Sequence, residues 1–427
     1  MTLRQASGWS RAQWSWAMAD WAREPFFSIV LSLIFPPYFV AVVAADPVRG
    51  TALWGYGLAA ASALLVLVSP FAGAAADSTG SRKPWIVACV AGAVAALASL
   101  WWATATPGRL AWVLVSCALA QLAIELSRVF SDSMVLRVAP RERVGDLSGL
   151  AVGLGFVASF LYLLGTFAFD SLGGRNVSVL SGAWLLVFIL PLLCFCPDFP
   201  RVERSWAESR RESLARLRRS LQDLVRVPQV GRFLLARMIY WDGMMGLFSF
   251  MAILASSRLA WRASEISVFG LLGLLAGAAG GVTGGALDRR FGSKRTLLLA
   301  LAVMLLVSVV MLLVLPAPAP RPAGVALLAA RGDLVFLALA IVASACLGAI
   351  LAASRSMMVR LSPADRLGEF FGLYVMVGRA SSFAAPLLVA LATTASGNQT
   401  MGVFGVALTF MLLGLVLLGR VQERQVP

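Results

Sequence analysis

The chain has 427 residues, with 36 basic and 21 acidic side chains, no histidine and a net charge of +15. Only 13% of its residues are charged, 59% are hydrophobic and mean hydropathy is +0.84, whereas a soluble domain carries about a quarter charged residues. This excludes a soluble globular protein. Because the bases fall mostly in short loops between apolar runs, the positive charge calls for no nucleic-acid partner.

Uncharged runs such as 51–76, 85–106 and 177–195 approach or exceed the roughly 20 residues that cross a hydrocarbon core as a helix. They are too long and too uniformly apolar for barrel strands. In chain order, twelve helical spans are predicted at 13–43, 52–76, 84–104, 110–136, 147–169, 178–197, 231–256, 265–287, 295–316, 333–360, 369–392 and 399–419. The first has a second possible start. Pro25 biases Glu24 away from helix, so the span can begin there, with 9–24 as an interfacial helix anchored by Trp9, Trp14, Trp16 and Trp21.

The loops after even-numbered spans, and those joining the halves, differ sharply in charge. One set holds Arg82 and Lys83, Arg137, Arg141 and Arg143, the Arg-rich stretch 201–230, Arg289, Arg290, Lys294 and Arg295, and Arg360 and Arg366. The other holds seven scattered arginines. The positive-inside rule places the first set and both termini in the cytoplasm. In the stretch 201–230, Leu214, Leu217, Leu221 and Leu224 have helical spacing, which predicts an amphipathic connector on the membrane surface. The domains are then 1–200, the linker 201–230, and 231–427.

The two outer segments repeat one another. SDSMVLRVAPRERVGDLSGL (131–150) aligns without a gap on SRSMMVRLSPADRLGEFFGL (354–373), with identities that include Arg137/Arg360, Gly145/Gly368 and Gly149/Gly372. A duplication of six-helix units places function between the copies. A second pair of segments supports it: Gly73-Ala-Ala-Ala-Asp77-Ser-Thr-Gly80-Ser-Arg82-Lys83 follows span two, and Gly284-Gly-Ala-Leu-Asp288-Arg289-Arg290-Phe-Gly292-Ser-Lys294-Arg295 follows span eight.

Charges inside the spans are expensive, about 2.5–3.5 kcal/mol each on insertion scales, so each should face a partner or an aqueous interior. Asp20 and Asp242 sit at nearly the repeat offset. They read as equivalent cavity residues that hold a cation or proton, or else as helix-end residues. In span four, Gln121, Glu125, Arg128 and Asp132 share one helical face. They form either an internally paired stripe through Glu125–Arg128 and Arg128–Asp132, or a cavity lining in which Arg128 holds a substrate anion and Glu125 titrates. Asp132 aligns with Arg355, and an Asp132–Arg355 contact follows if both face the cleft. Arg379, deep in span eleven, aligns with Phe156 and needs an acidic or anionic partner. Tyr240, beside Asp242, completes the candidates. The glycine rows 273/277/281/285 and 145/149/153 predict close helix packing.

The five cysteines, 89, 117, 194, 196 and 346, lie in or at the ends of apolar runs and behave as small hydrophobes. No metal site, cofactor or cleavable leader is expected. No GxxxxGK[ST] phosphate loop is present, which argues against ATP hydrolysis.

The two Gly-Asp-Gly-basic loops resemble the GxxxDxxGxRK motif of the major facilitator superfamily. The second copy has one extra residue between Asp288 and Gly292. Further segments are similar to the fungal vacuolar amino-acid effluxer branch (autophagy-related) and its bacterial relatives. They are Asp20-Trp21-Ala22, Phe35-Pro36-Pro37-Tyr38-Phe39, Ser69-Pro70-Phe-Ala-Gly73, Tyr240-Trp241-Asp242-Gly243, Ser354-Arg355-Ser356 and Glu369-Phe370-Phe371-Gly372-Leu373-Tyr374 through Gly378-Arg379. The departure is Arg23-Glu24-Pro25, where relatives carry small polar residues. The resemblance implies an all-α fold of twelve transmembrane helices in two pseudo-symmetric six-helix bundles. It also implies a monomeric secondary transporter, not an enzyme, moving a small amino-acid-like solute by alternating access. It implies a cytoplasmic gate in which Asp77 meets the start of span eleven near Gly368 and Glu369 with Arg137 nearby. Asp288 correspondingly meets the start of span five near Gly145 and Asp146 with Arg360 nearby. Proton coupling would fall to Glu125, Asp20 or Asp242. Export of amphipathic drugs or lipids, and a non-transporting sensor or assembly partner using the linker, remain as alternatives. A bacterial inner membrane is the expected location.

Overall fold

A computed structural model describes residues 9–104, 106, 108–140, 143–168, 173–200, 227–315, 331–362 and 367–422. Among them, twelve helices are long and apolar enough to cross a membrane. They are α1 (Arg11–Val43), α2 (Pro47–Thr79), α3 (Lys83–Trp102), α4 (Arg109–Ser133), α5 (Leu147–Thr166), α6 (Gly174–Phe195), α7 (Pro228–Leu259), α8 (Ala263–Phe291), α9 (Ser293–Val314), α10 (Gly332–Leu361), α11 (Met376–Ser396) and α12 (Gln399–Gly419). Helices α1–α6 form one bundle and α7–α12 the other. The expected linker helix within 201–226 lies outside the described residues.

Helix α1 decides between the two expected starts in favour of the longer span: it runs unbroken through Pro25. Proline removes one backbone donor and crowds the preceding turn, and the chain answers with π-helical geometry over Phe26–Ile34 and again over Phe39–Val43, after Pro36 and Pro37. Such insertions let a helix pass a proline without ending. In the first part of α1, Trp14 is exposed but Trp16 is buried, and its indole N–H donates to the Ser131 carbonyl at 2.8 Å.

Helix α11 is interrupted. Regular helix over Leu367–Ala380 gives way to a turn at 381–383 and resumes as Ala384–Ser396. Inside the second bundle, α8 and α10 cross at backbone contact: a Cβ on Gly280 would fall 1.9 Å from the Ala345 carbonyl oxygen, and one on Gly348 would fall 1.9 Å from the Gly277 oxygen. The closest approach thus involves Gly277 and Gly281 of the predicted row together with Gly280 and Gly284 beside it, while Gly273 touches Ser344 and Gly285 does not reach α10. The row Gly149/Gly153 does not pack: a Cβ at either meets nothing within 4 Å, whereas Gly155 closes on Glu24.

The bundles meet along α2–α11, α5–α8 and α1–α7. Spans alternate in direction, so one face carries the arginine-rich loops and the other the arginine-poor loops. Near the arginine-poor face, a Cβ on Gly55 would lie 2.7 Å from the Pro386 carbonyl oxygen and 3.0 Å from the Ala390 Cβ. Thr51 donates across the same seam to Gln399 Oε1 at 2.9 Å, and Gln399 in turn donates to Ser257. At comparable depth on α8, a Cβ on Gly270 would fall 2.8 Å from Leu163 of α5 and 2.7 Å from Leu33 of α1. Toward the basic face, a Cβ on Gly73 of α2 meets nothing within 4 Å. The seams are tight at the arginine-poor end.

Gly55→Leu should therefore prise α2 from α11. Overpacking of this kind costs about 1–3 kcal/mol, which shifts a two-state population about 5- to 150-fold. Spin labels at Arg49 and Ser396 should report a longer distance in the variant; an unchanged distance distribution contradicts the tight seam.

Candidate functional site: a mixed-charge cluster between the bundles

The stripe on α4 does not pair with itself. Arg128 turns to α1: its Nη2 lies 3.3 Å from Glu24 Oε2, its Nε lies 3.9 Å from Asp20 Oδ1, and the guanidinium sits 4.9 Å from the centroid of Phe27. Glu24 also accepts from the Ser28 hydroxyl at 3.2 Å. Intrahelical ion pairs contribute only about 0.3–0.5 kcal/mol. Two carboxylates on a facing helix provide the better-enclosed partners, so the expected Glu125–Arg128 and Arg128–Asp132 pairs give way to a bridge from α4 to α1.

Asp132 leaves its own bundle. Its Oδ2 lies 3.3 Å from Arg379 Nη2 on α11, 247 residues away in sequence. The proposed Asp132–Arg355 contact is not the one made: Arg355 is exposed, and Arg379 takes its place. The expectation that Arg379 needs an acid from the interior finds Asp132. Glu125 lies farther along the same face, with its Oε2 buried and without a hydrogen-bond partner among the described residues. It acts electrostatically on both Arg128 and Arg23.

Arg23 is 1% exposed and donates to the Ser127 carbonyl at 3.3 Å. It lies inside the first bundle, between α1 and α4, behind the cluster. On the second bundle, the Tyr240 hydroxyl is 2.7 Å from that of Ser354. Arg237 stacks 3.7 Å from the Tyr374 ring centroid and donates to the Tyr374 carbonyl at 3.2 Å. Asp242 is 3% exposed, and Ser381 and Arg237 are its polar neighbours.

The two motif loops are built differently. In the second, Asp288 accepts from the Ser293 hydroxyl at 2.6 Å and pairs with Arg360 at 3.3 Å, and Gly292 adopts φ 85°. This matches the expected proximity of Arg360. Arg289 is exposed, and Lys294 donates to the Gly419 carbonyl at 2.9 Å. In the first loop, Gly80 turns at φ 76°, and Asp77 pairs with Arg82 of its own loop. Arg137 lies over the Phe199 ring at 5.5 Å, with Arg82 at 5.2 Å from the same ring. The side chains of Gly145, Asp146, Gly368 and Glu369, expected opposite these loops, lie outside the described residues.

Sequence reasoning missed Asp198. It follows α6, and its carboxylate accepts from the Ser81 hydroxyl at 2.5 Å, the Arg82 amide at 2.8 Å and the Lys83 amide at 3.1 Å. It thereby satisfies free donors at the start of α3. Partial burial raises its pKa, but the bonds from Ser81, Arg82, Lys83 and Phe199 outweigh that, and the group stays below the ordinary carboxylate value. An acid between two prolines at the end of an apolar span was the available signal.

The family described as "Vacuole effluxer Atg22 like" matches residues 141–426. The chain is 26% identical over 425 residues to the MFS-type transporter YxiO of Bacillus subtilis (strain 168), covering 96% of this chain and 94% of that protein. Among solved structures, it is similar to a D-xylose-proton symporter at TM-score 0.71, with 12% identity, 97% of this chain and 98% of that chain covered. It is also similar to the partially occluded, inward-open conformation of the xylose transporter XylE from E. coli at TM-score 0.69, with 12% identity, 98% of this chain and 100% of that chain covered.

Two outcomes follow from this geometry. A double-mutant cycle on Asp132→Asn and Arg379→Gln should give a coupling of about 0.5–1 kcal/mol in thermal unfolding, as for a partly exposed ion pair; additive effects would remove the bridge. Because the folded Asp198 carboxyl is lowered, its contribution is present above the unfolded pKa and is lost as pH falls through the folded value. Asp198→Asn should cost about 1 kcal/mol near neutral pH and flatten the acid limb of Tm against pH. An acid limb identical to the parent's would contradict this role.

Proposed function

The chain belongs to the vacuole effluxer Atg22-like family of MFS-type membrane transporters, and we propose that it moves a small zwitterionic, amino-acid-like solute by secondary active, alternating-access transport. One observation carries the reading: carboxylates of α1 and α4 and the guanidinium of α11 converge between the bundles, joined by the Asp132–Arg379 bridge. A zwitterion needs both signs within a few ångströms. Arg379, held by Asp132 through one nitrogen, offers its remaining donors to a carboxylate. Asp20 and Glu125 offer negative charge to an ammonium group. The cluster sets Asp20, Glu24, Glu125 and Asp132 against Arg128 and Arg379, with Arg23 behind it. Acids outnumber bases there, which favours an incoming cationic group.

The basic face is cytoplasmic by the positive-inside rule, so the tight seams at Gly55 and Gly270 close the outer side, and the protein faces inward as a multi-pass inner-membrane monomer. Asp77, Arg82 and Arg137, with Asp288 and Arg360, form the inner gate when the bundles rock. Coupling is to a cation gradient through Asp20, Glu125 or Asp242.

Reconstituted in proteoliposomes, the purified chain should show counterflow of at least one amino acid, and Glu125→Gln should reduce it at least tenfold. Movement of apolar drugs alone would replace the substrate assignment with the amphipath reading. No movement across an amino-acid, peptide, sugar and drug panel would end the transport reading.

A further inference from the structure

Asp20 and Asp242 occupy nearly equivalent places in the two bundles, but they are answered differently. Asp20 has Arg128 at 3.9 Å. Asp242 is 3% exposed and has no ion pair within 4 Å among the described residues. Arg237 is the ionised side chain acting on it, yet that guanidinium is committed to the ring and carbonyl of Tyr374. Among the described residues of the other helices packed on α7, α12 carries no titratable side chain and meets Gly243 with Phe410, Ala407 and Met411, α10 contributes the Tyr240–Ser354 hydroxyl pair, the α1 segments that meet α7, Phe26–Ile34 and Phe35–Tyr38, carry no carboxylate or basic group, and Arg379 of α11 is turned to Asp132. A buried carboxylate without a counter-ion costs several kcal/mol, so it takes up a cation.

The interruption of α11 lies against it. Asp242 is 14 residues into α7, and Ser381 is 14 residues past Leu367, each about 21 Å along its helix from the basic face. Ser381 is 9% exposed. Its hydroxyl lies beside the Asp242 carboxylate without reaching good hydrogen-bond geometry to it or to any other described group. The turn itself is closed by short-range bonds, from the Ser382 amide to the Arg379 carbonyl at 3.2 Å and from the Ala384 amide to the Ser381 carbonyl at 2.8 Å, so the donors left open are the carboxylate and the hydroxyl, hard oxygens of the kind that discontinuous helices offer to coupling ions.

We propose that Asp242, Ser381 and the α11 break form the binding site of one monovalent coupling cation, sodium or a proton, separate from the α1–α4 cluster. This rests on the transport reading for its purpose but not for its detection. The probe is the cation alone, added to the solubilised full chain without any solute. Tm is followed against NaCl with choline chloride holding ionic strength constant, and separately against pH in choline chloride.

A saturable rise in Tm with sodium, absent in choline, identifies a sodium site. A rise on acidification that sodium does not alter identifies a proton site. In either case, the response should disappear in Asp242→Asn, with monodispersity and circular dichroism confirming the fold. Ser381→Ala should weaken a sodium response about tenfold, as for loss of one charge-assisted contact, and leave a proton response in place. A response that survives Asp242→Asn, or that vanishes in Asp20→Asn or Glu125→Gln instead, overturns the assignment, as does a chain indifferent to both cations. Counterflow by the parent chain, read separately, reports on the transport reading.

Discussion

Hydrocarbon does not solvate charge, and the interior of this protein is arranged around that constraint. A guanidinium or carboxylate within a span must find an opposite charge, an aromatic face or water. Arg128 finds Asp20 and Glu24, and Arg237 finds the ring of Tyr374. Asp132 finds Arg379, which belongs to the other bundle. Neutralising a charge and joining the two bundles are thus one event at that point. Any motion that parts α4 from α11 uncovers two charges that need a new partner.

The two ends of the interface are closed by different physics. At the arginine-poor end, closure is steric and short-range. Gly55 lets α2 reach the backbone of α11, and the buried Thr51–Gln399–Ser257 chain satisfies the polar groups that the contact covers. Such a seam is either made or broken, because buried polar atoms without partners cost about 1–3 kcal/mol each. Toward the basic end, the described residues include a partly exposed ion pair between the bundles, a weaker and more easily exchanged contact. A difference of a few kcal/mol between the ends is the range in which a ligand can decide which of them is open.

Most of the fold was legible in the sequence because hydropathy and helix length are properties of single segments. All twelve spans follow from that. The α1 exception arises because π-helical turns can absorb a proline, a solution that local propensity does not contain. The site was half legible. Spacing shows that Glu125, Arg128 and Asp132 share a face, but spacing cannot say what that face meets. The partners of Arg128 lie 104 and 108 residues away, and that of Asp132 lies 247 away. The pairing of Arg360 with Asp288 was more accessible, since the repeat set both beside equivalent loops. Asp198 was hidden because its partners, the first amides of α3, lie about 115 residues earlier. The α8 glycine row was right over Gly273, Gly277 and Gly281 and lost α10 by Gly285, because a period of four drifts around a helix of 3.6 residues per turn.

Asp132 and Arg379, which bridge the bundles, both stand at positions where the halves differ: their counterparts are Arg355 and Phe156, both exposed. Divergence leaves this pair without an equivalent across the pseudo-axis. The same logic separates Asp20 from Asp242. Matched in position, one is paired with Arg128 and belongs to a cluster of both signs, and the other is buried beside a broken helix with no counter-ion among the described residues. Duplication supplied two equivalent acids, and divergence in their surroundings gave them different electrostatic settings.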